Sequence, residues 1–148
     1  MAGTLVQGNG GTGVTLAAGA KLTVGTDAET GTVNTLIQNN AGYGLLAGPS
    51  MAIALHGPTI SSNGSDGVRL QGGTGGVFIG ATIANNVGHG VRIGDLSFAS
   101  FVGPNNITGN EPNDIVCDPQ FSVARGIGGP VGNGSSTNCP VPPQQPNP

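Results

Sequence analysis

Short runs of alternating apolar and polar residues recur along the chain with a nearly fixed period. The repeated pattern is an apolar residue, an asparagine three positions later, a glycine four positions after the asparagine, and then two apolar residues separated by one position. Its clearest copies are residues 60–70 and 83–93. The anchoring asparagines are Asn9, Asn40, Asn63, Asn86 and Asn110, at intervals of 31, 23, 23 and 24 residues. This period predicts a solenoid, whose coils bury their apolar faces only against neighbouring coils.

Each repeat is predicted to contain three short strands. The first is the apolar triplet after the glycine, and the third ends just before the asparagine. The second lies between them, and we predict it at residues 51–55, 76–79 and 96–99. Alternate side chains of a strand point to opposite faces, so every second residue is expected inside. Equivalent strands of successive coils then lie side by side and parallel, and the five asparagines form a hydrogen-bonded ladder at one turn.

The composition agrees with a chain built from short strands and tight turns. There are 29 glycines and 11 prolines, whereas charged residues make up only 7% and aromatic residues 3%. Disordered chains usually combine low hydrophobicity with high charge, but 36% of these residues are hydrophobic and charge is scarce. We attribute the glycines and asparagines to turns, because both tolerate a positive φ. A length of 148 residues is suited to one domain.

The end of the chain departs from the repeat. Asp114 replaces the turn glycine, and Cys117 takes an inward position that is apolar in the other repeats. An exposed coil end must be covered, so we predict a capping segment over residues 119–139. A disulfide between Cys117 and Cys139 would hold that segment in place, with two free or buried thiols as the alternative. Residues 140–148 are rich in proline and are predicted to form a flexible tail.

Three segments carry a family resemblance: SNGSDGVRLQGG, NNVGHGVRIG and GNEPNDIVCDPQF. They resemble the right-handed parallel β-helix repeat proteins of the pectate-lyase-like superfamily, over about residues 4 to 120. The resemblance implies an all-β fold, a right-handed parallel β-helix of about five coils over residues 1–118 with a C-terminal cap. Right-handed crossovers are also the general preference of parallel strands. Because the first coil has no comparable cap, we expect the chain to be the C-terminal portion of a longer β-helix.

Ionisable side chains concentrate at one place on the outer surface. Residues just before the turn glycine and in the middle of the following strand should face outward on neighbouring coils. We call this group the ionisable strip, and its members are Tyr43, Asp66, Arg69, His89 and Arg92. A salt-bridged, solvated surface is the structural interpretation of the strip. The functional alternative is weak binding of an acidic polysaccharide through the two arginines, with Tyr43 as a sugar-stacking ring.

Catalysis by the strip lacks most of the groups that it needs. The segment from Gly88 to Gly90 resembles the Gly-His-Gly motif of polygalacturonase-type glycoside hydrolases, which place further aspartates one and two coils earlier. Only Asp66 occupies one of those positions. Glycoside hydrolysis generally requires two carboxylates, and a polysaccharide lyase requires clustered carboxylates that bind Ca²⁺. We therefore predict no catalytic residues.

Charge and spacing disfavour several classes of partner. The basic residues are Lys21, Arg69, Arg92 and Arg125, too few to neutralise a run of phosphates, so a nucleic-acid partner is not expected. No run of about 18 apolar residues is present, so we expect no membrane segment. No His, Cys or carboxylate pair has zinc spacing, and we predict neither a metal nor a cofactor.

Three functions remain after these exclusions. The first is a non-catalytic secreted or surface-exposed β-helix module that acts as a rod or a weak glycan-binding surface. The second is a fragment of a polysaccharide lyase or glycoside hydrolase that acts on an acidic polysaccharide. The third is end-to-end self-assembly through an uncapped N-terminal coil. A disulfide implies an extracellular or cell-surface location, although this sequence contains no signal peptide.

Overall fold

The chain folds into fifteen short strands without a helix among the residues that the structure describes. A computed structural model describes residues 3–25, 34–119, 123–127 and 139. Most of the predicted capping segment and the whole predicted tail lie outside the described residues. The strands are β1 (Leu5–Gln7), β2 (Val14–Leu16), β3 (Lys21–Gly25), β4 (Leu36–Gln38), β5 (Leu45–Ala47), β6 (Ala52–His56), β7 (Thr59–Ser61), β8 (Val68–Leu70), β9 (Gly75–Ile79), β10 (Thr82–Ala84), β11 (Val91–Ile93), β12 (Phe98–Val102), β13 (Asn106–Thr108), β14 (Ile115–Cys117) and β15 (Val123–Ile127).

The strands form three parallel sheets that run along the solenoid. Sheet A has the order β1-β4-β7-β10-β13, sheet B the order β2-β5-β8-β11-β14, and sheet C the order β3-β6-β9-β12-β15. Every neighbouring pair is parallel and in register, so that Ile60 of β7 lies between Ile37 of β4 and Ile83 of β10. A strand therefore always pairs with its equivalent from the next coil, as the period of the sequence predicts. All three sheets are present in every coil.

The number of coils is slightly smaller than predicted. From β1 to β13 the backbone completes four turns, and β14 and β15 continue into an incomplete fifth turn. The strand β15 lies inside the segment that the sequence assigned to the cap, and it pairs with β12 as the last strand of sheet C. Paired structure therefore extends beyond residue 118, to Ile127.

The interior is a stack of aliphatic side chains with one aromatic pair. Residues at the centre of each sheet A strand and at both ends of each sheet B strand are directed inward. The rings of Phe78 and Phe101 stack with their centroids 4.8 Å apart. The largest fully buried side chains are Phe78, Ile37, Leu45, Leu55, Ile60, Leu70, Ile83, Ile93, Ile107, Ile115, Val24 and Val68. These residues follow the predicted alternation.

One predicted strand is misplaced. The sequence places a strand at residues 96–99, but β12 spans Phe98–Val102. Asp95 and Leu96 both have positive φ angles, 51° and 65°, which belong to a turn and not to a strand. Leu96 consequently lies in the turn and is 65% exposed, although it is apolar. Because Leu96 is apolar, the alternating pattern in the sequence begins at residue 96, two residues before the strand itself.

A disulfide joins Cys117 at the end of β14 to Cys139, as the sequence predicted. The two residues are 22 positions apart, with 4.8 Å between their Cα atoms. Cys139 packs against the apolar core of the last coils. The crosslink therefore ties a distant part of the chain to the C-terminal end of the solenoid.

Candidate functional site

The asparagines of the repeat form a continuous ladder at the turn between sheets A and B. The side-chain Nδ2 of Asn40 donates to Oδ1 of Asn63 at 2.9 Å, and the backbone N–H of Asn40 donates to the same oxygen at 3.1 Å. Asn63 repeats both bonds to Asn86, at 2.9 and 3.0 Å. Asn86 continues to Asn110, and Asn9 begins the series by donating to Asn40. Each asparagine thus holds its own turn to the next one.

The second proton of each inner amide is also used. Nδ2 of Asn63 donates to the carbonyl of Ile37 at 3.2 Å, and Nδ2 of Asn86 donates to the carbonyl of Ile60 at 3.2 Å. Asn63 is fully buried, and Asn86 is 2% exposed. A buried amide is stable only when its donors and acceptors are paired, and these amides meet that condition. The inner amides of the ladder are therefore structural, because both protons of each are donated within the fold.

The two ends of the ladder differ. Asn9 is exposed, and the bonds it makes within the ladder are donated to Asn40. At the other end Asp114 accepts from both the backbone N–H and Nδ2 of Asn110, at 3.1 and 2.9 Å. The Asp114 carboxylate thus takes the role that the amide oxygen of a following asparagine has elsewhere. This explains why an aspartate stands where the other repeats have glycine.

The repeat glycine is needed for close packing rather than for its φ angle. A Cβ atom on Gly67 would lie 2.8 Å from Nδ2 of Asn86 and 2.8 Å from the carbonyl oxygen of Gly90. The positive φ angles belong instead to the residue before each ladder asparagine, such as Ser62 at 54° and Asn85 at 55°. The sequence indicated a turn correctly, but our attribution of this glycine to a positive φ was wrong. Contact between successive coils is what excludes a side chain there.

Asp66 of the ionisable strip bonds to the backbone of the next coil. Its side chain is buried, and Oδ1 accepts the backbone N–H of His89 on the next coil at 2.9 Å. A Cβ atom on Gly88 would lie 2.5 Å from that same oxygen, so the glycine makes room for the carboxylate. The sequence placed Asp66 on the exposed surface, and its burial corrects that expectation.

Arg69 lies between an acid and an aromatic ring. Its Nη1 is 3.6 Å from Oδ2 of Asp66, and its guanidinium carbon is 5.8 Å from the centroid of the Tyr43 ring. Nε also donates to the side-chain oxygen of Gln71 at 3.2 Å. The side chain is 23% exposed, so part of it remains accessible to solvent. Of the strip residues, Tyr43, Asp66 and Arg69 thus form one connected group.

Arg92 pairs with an acid outside the strip. Its Nη2 lies 3.0 Å from Oδ1 of Asp118, and Nε donates to both oxygens of that carboxylate at 3.1 and 3.2 Å. The hydrogen bond to Asp118 raises the pKa of Arg92, so the guanidinium remains charged at every accessible pH. Asp118 fits there because Gly94 has no side chain; a Cβ at that position would meet Oδ2 at 2.6 Å.

The His89 ring contacts a polar side chain of the following coil. Its Nδ1 lies 3.5 Å from Nδ2 of Asn113 on the following coil, and the residue is half-buried. The backbone of His89 is held on both sides, since its N–H binds Asp66 and its carbonyl accepts from Gly67. The ring therefore extends from a fixed backbone along the outer surface of the turn.

Two structural residues escaped the sequence analysis. Asp118 was overlooked because it follows Cys117 at the end of the last repeat, where no earlier coil offers an equivalent acid. Asn105 lies at a second turn, where it accepts the N–H of Ala81 at 2.9 Å and donates to the carbonyl of Phe78 at 3.2 Å. It occupies that position in the last coil alone, so periodicity gave no signal for it.

The described residues contain few side chains arranged for catalysis or metal binding. No group of three or more His, Cys, Asp or Glu side chains among them is arranged to hold a metal ion. In the same residues no helix has the length and apolar character that a membrane crossing requires. The carboxylate of Asp66 in the strip and that of Asp118 beside it both accept hydrogen bonds. The arrangement can present charge and an aromatic ring to solvent.

Comparison with known proteins identifies the family. Residues 3–128 match a family described as the right handed beta helix region, which covers all fifteen strands. No curated protein and no solved structure matches the chain significantly. The three parallel sheets and the asparagine ladder of the structure lie within the matched residues. The chain belongs to the right-handed β-helix family.

Proposed function

We propose that this chain is a non-catalytic structural β-helix module that serves as a rigid rod or spacer. The observation that supports it is that the carboxylates in and beside the ionisable strip bond to neighbouring coils. Asp66 holds the backbone of the next coil, and Asp118 is held by Arg92 through three contacts within 3.2 Å. A general acid or base must be free to exchange a proton with a substrate. Side chains that hold coils together serve rigidity instead.

The module acts outside the cell or at the cell surface under this proposal. Disulfides persist in oxidising compartments and are rare in the cytosol. The Cys117–Cys139 bond is compatible with such a location. Closing a loop of this length stabilises a fold by about 3 kcal/mol, and this bond lies in the last coil, at the C-terminal end of the solenoid.

An activity assay separates the rod from an enzyme fragment. The purified chain is incubated with polygalacturonate and with pectins, and unsaturated products and reducing ends are measured. We expect no product above that of a heat-denatured sample. Turnover that disappears in His89→Ala but survives in the matched variant His56→Ala would overturn the non-catalytic proposal. His56 is a suitable control because it is also half-buried but lies in sheet C, in β6.

A second candidate function is weak binding of an acidic glycan at Tyr43 and Arg69. The observation in its favour is the guanidinium carbon 5.8 Å from the Tyr43 ring centroid, since both side chains remain half-exposed. An aromatic ring and an adjacent cation are suited to a sugar ring that carries a carboxylate. The pairing of Asp66 and Asp118 with the two arginines lowers the net positive charge, so we expect only weak affinity.

A glycan array tests this second function. Wild-type protein is compared with Arg69→Ala and with Lys21→Ala, whose exposed cation lies in β3 on another face. Binding through the strip predicts signal on acidic glycans that falls at least about tenfold in Arg69→Ala and is unchanged in Lys21→Ala. Equal signal in all three proteins would exclude the strip as a binding surface.

A further inference from the structure

The asparagine ladder contains the dipeptide Asn-Gly twice, at the same turn of two different coils. Asn9-Gly10 lies between β1 and β2 in the first coil, and Asn63-Gly64 lies between β7 and β8 in the third. The two copies have the same chemistry and equivalent places in the fold. Any difference in their reactivity must therefore come from the contacts that surround them.

An asparagine followed by glycine is open to attack by its own backbone. The backbone nitrogen of the glycine loses its proton to a base in solution and attacks the side-chain Cγ, which closes a five-membered imide. The Cγ–Nδ2 bond breaks, and ammonia leaves after it takes up a proton from solvent. Water then opens the imide at one of its two carbonyl carbons and yields aspartate or isoaspartate. Glycine favours this ring closure because it is flexible and has no side chain beside its nitrogen.

The side chain of Asn63 is held on every side. Its Oδ1 accepts both the backbone N–H and Nδ2 of Asn40, at 3.1 and 2.9 Å. Its Nδ2 donates to Oδ1 of Asn86 at 2.9 Å and to the carbonyl of Ile37 at 3.2 Å. Asn63 is also fully buried. Cγ of this residue can be attacked only after four hydrogen bonds break.

The attacking nitrogen at this turn is held as well. The N–H of Gly64 donates to the carbonyl of Asn40 at 2.8 Å, so a base in solution does not reach its proton. A Cβ atom on Gly64 would overlap the carbonyl of Ala41, which shows that the backbone packs directly on the preceding coil. Rotation of the Gly64 nitrogen towards Cγ of Asn63 would therefore open the turn.

Asn9-Gly10 has much weaker contacts. Both residues are exposed, and Nδ2 of Asn9 donates to Oδ1 of Asn40 at 2.8 Å. Among the residues that the structure describes, none donates to Oδ1 of Asn9 and none accepts the N–H of Gly10. A Cβ atom on Gly10 would meet no atom within 4 Å. The backbone nitrogen of Gly10 is therefore accessible to base and has room to rotate towards Cγ.

We propose that Asn9 is a site of spontaneous deamidation, whereas the ladder protects the same dipeptide at Asn63. The exposed turn of the first coil supplies both the amide and the nucleophile, and water is the second reactant. The inference is independent of the proposed rod function, because the reaction needs neither a partner nor a particular location.

Deamidation would disrupt the first step of the ladder. A carboxylate at residue 9 has no proton to donate to Oδ1 of Asn40 at neutral pH. Isoaspartate also adds a carbon atom to the backbone at this turn. The N–H groups of Ala41 and Gly42 bind the carbonyls of Asn9 and Gly11, both at 2.9 Å. These two N–H groups should consequently exchange with solvent faster in aged protein than in fresh protein.

Peptide mapping by mass spectrometry tests the proposal on the full chain. The protein is aged at mildly alkaline pH and digested in acid, and asparagine, aspartate and isoaspartate are quantified at each position. Asn133-Gly134, outside the described residues, is mapped separately. Asn9 should deamidate at least about tenfold faster than Asn63, because Asn63 reacts only after its turn opens. In denaturant the two residues should react at similar rates, since no ladder is present.

Two glycine variants test the route of the reaction. Gly10→Ala places a methyl group beside the attacking nitrogen and should slow the deamidation of Asn9 several-fold. Gly11→Ala is the matched control and should leave the rate unchanged. Neither glycine has a positive φ, and a Cβ at either position meets no atom within 4 Å, so both variants should fold as the wild type does.

Three results would overturn the proposal. The first is Asn9 that stays unmodified in the folded chain, which would mean that its bonds to Asn40 are sufficient protection. The second is deamidation of Asn63 as fast as that of Asn9 in the folded chain. The third is the same rate in Gly10→Ala and Gly11→Ala, which would exclude the Gly10 nitrogen as the nucleophile.

Discussion

The asparagine ladder and the ionisable strip follow the same turn, three residues apart, yet they are organised differently. The ladder repeats the same two bonds from coil to coil, as Asn40, Asn63 and Asn86 show. The strip contains Tyr43, Asp66 and His89 at equivalent positions, and each makes a different contact. A position inside the coil has one environment in every repeat, whereas a position outside is free to vary.

This difference separates the residues that determine the fold from those that modify its surface. A buried amide in the ladder accepts two bonds from the preceding asparagine, so replacing it leaves buried donors of that coil unpaired. Arg92 of the strip, by contrast, loses only a partly solvated ion pair when it is replaced. The consequences for stability should therefore differ by several kcal/mol.

Removal of one ladder amide should have the largest effect. Asn63→Ala leaves both donors of Asn40 and the carbonyl of Ile37 without their partner in the interior, whereas Oδ1 of Asn86 keeps the backbone N–H of residue 63. Unpaired buried polar groups cost about 1–3 kcal/mol each, so we expect the free energy of unfolding to fall by about 3–5 kcal/mol. Urea unfolding followed by circular dichroism measures the change.

The matched control replaces an asparagine outside the ladder. Asn113 lies on the same turn in the last coil, and the partner of its side chain in the structure is the His89 ring at 3.5 Å. Asn113→Ala should change the free energy of unfolding by less than about 1 kcal/mol. Similar losses for Asn63→Ala and Asn113→Ala would show that the ladder has no special role.

Introduction of a methyl group between coils should have an intermediate effect. In Gly88→Ala the new Cβ would lie 2.5 Å from Oδ1 and 2.6 Å from the backbone nitrogen of Asp66. Backbone atoms must then move, which costs about 1–3 kcal/mol. Thermal unfolding measures the loss against Gly10→Ala, a position where a Cβ meets no atom within 4 Å. A loss in Gly10→Ala equal to that in Gly88→Ala would contradict close packing at Asp66.

The Arg92–Asp118 pair of the strip should give the smallest effect. The two side chains are 34% and 28% exposed, so solvent weakens their attraction and we expect Arg92→Met to cost less than about 1 kcal/mol. A double-mutant cycle with Asp118→Asn isolates the coupling, which should be about 0.5 kcal/mol and fall in high salt. A coupling energy above about 2 kcal/mol would place this pair with the ladder instead.

Most of the fold was predictable because the interior repeats. The ladder asparagines, the sheet B strands and the disulfide follow from the period and from two cysteines at the end of the chain. The strand near residue 96 was misplaced because Leu96 is apolar but lies in a turn. Periodicity is a signal only where several coils share one environment.

The strip was less predictable because its positions have a different environment in each coil. Asp66 and Arg69 were expected to be neighbours and are, but the partner of Arg92 was missed. Asp118 has no equivalent in earlier coils, and its contact depends on the space left by Gly94.

Hydrogen exchange of the asparagine side chains tests the central claim most directly. Two-dimensional NMR at neutral pH follows the Nδ2 protons of Asn63 and Asn86, with those of the half-exposed Asn113 as the reference. If buried amides hold each coil to the next, the two ladder amides should exchange as slowly as the most protected backbone N–H groups, far more slowly than Asn113. Exchange of all three within the same short time would contradict the ladder, and with it the stacking of coils on which the account depends.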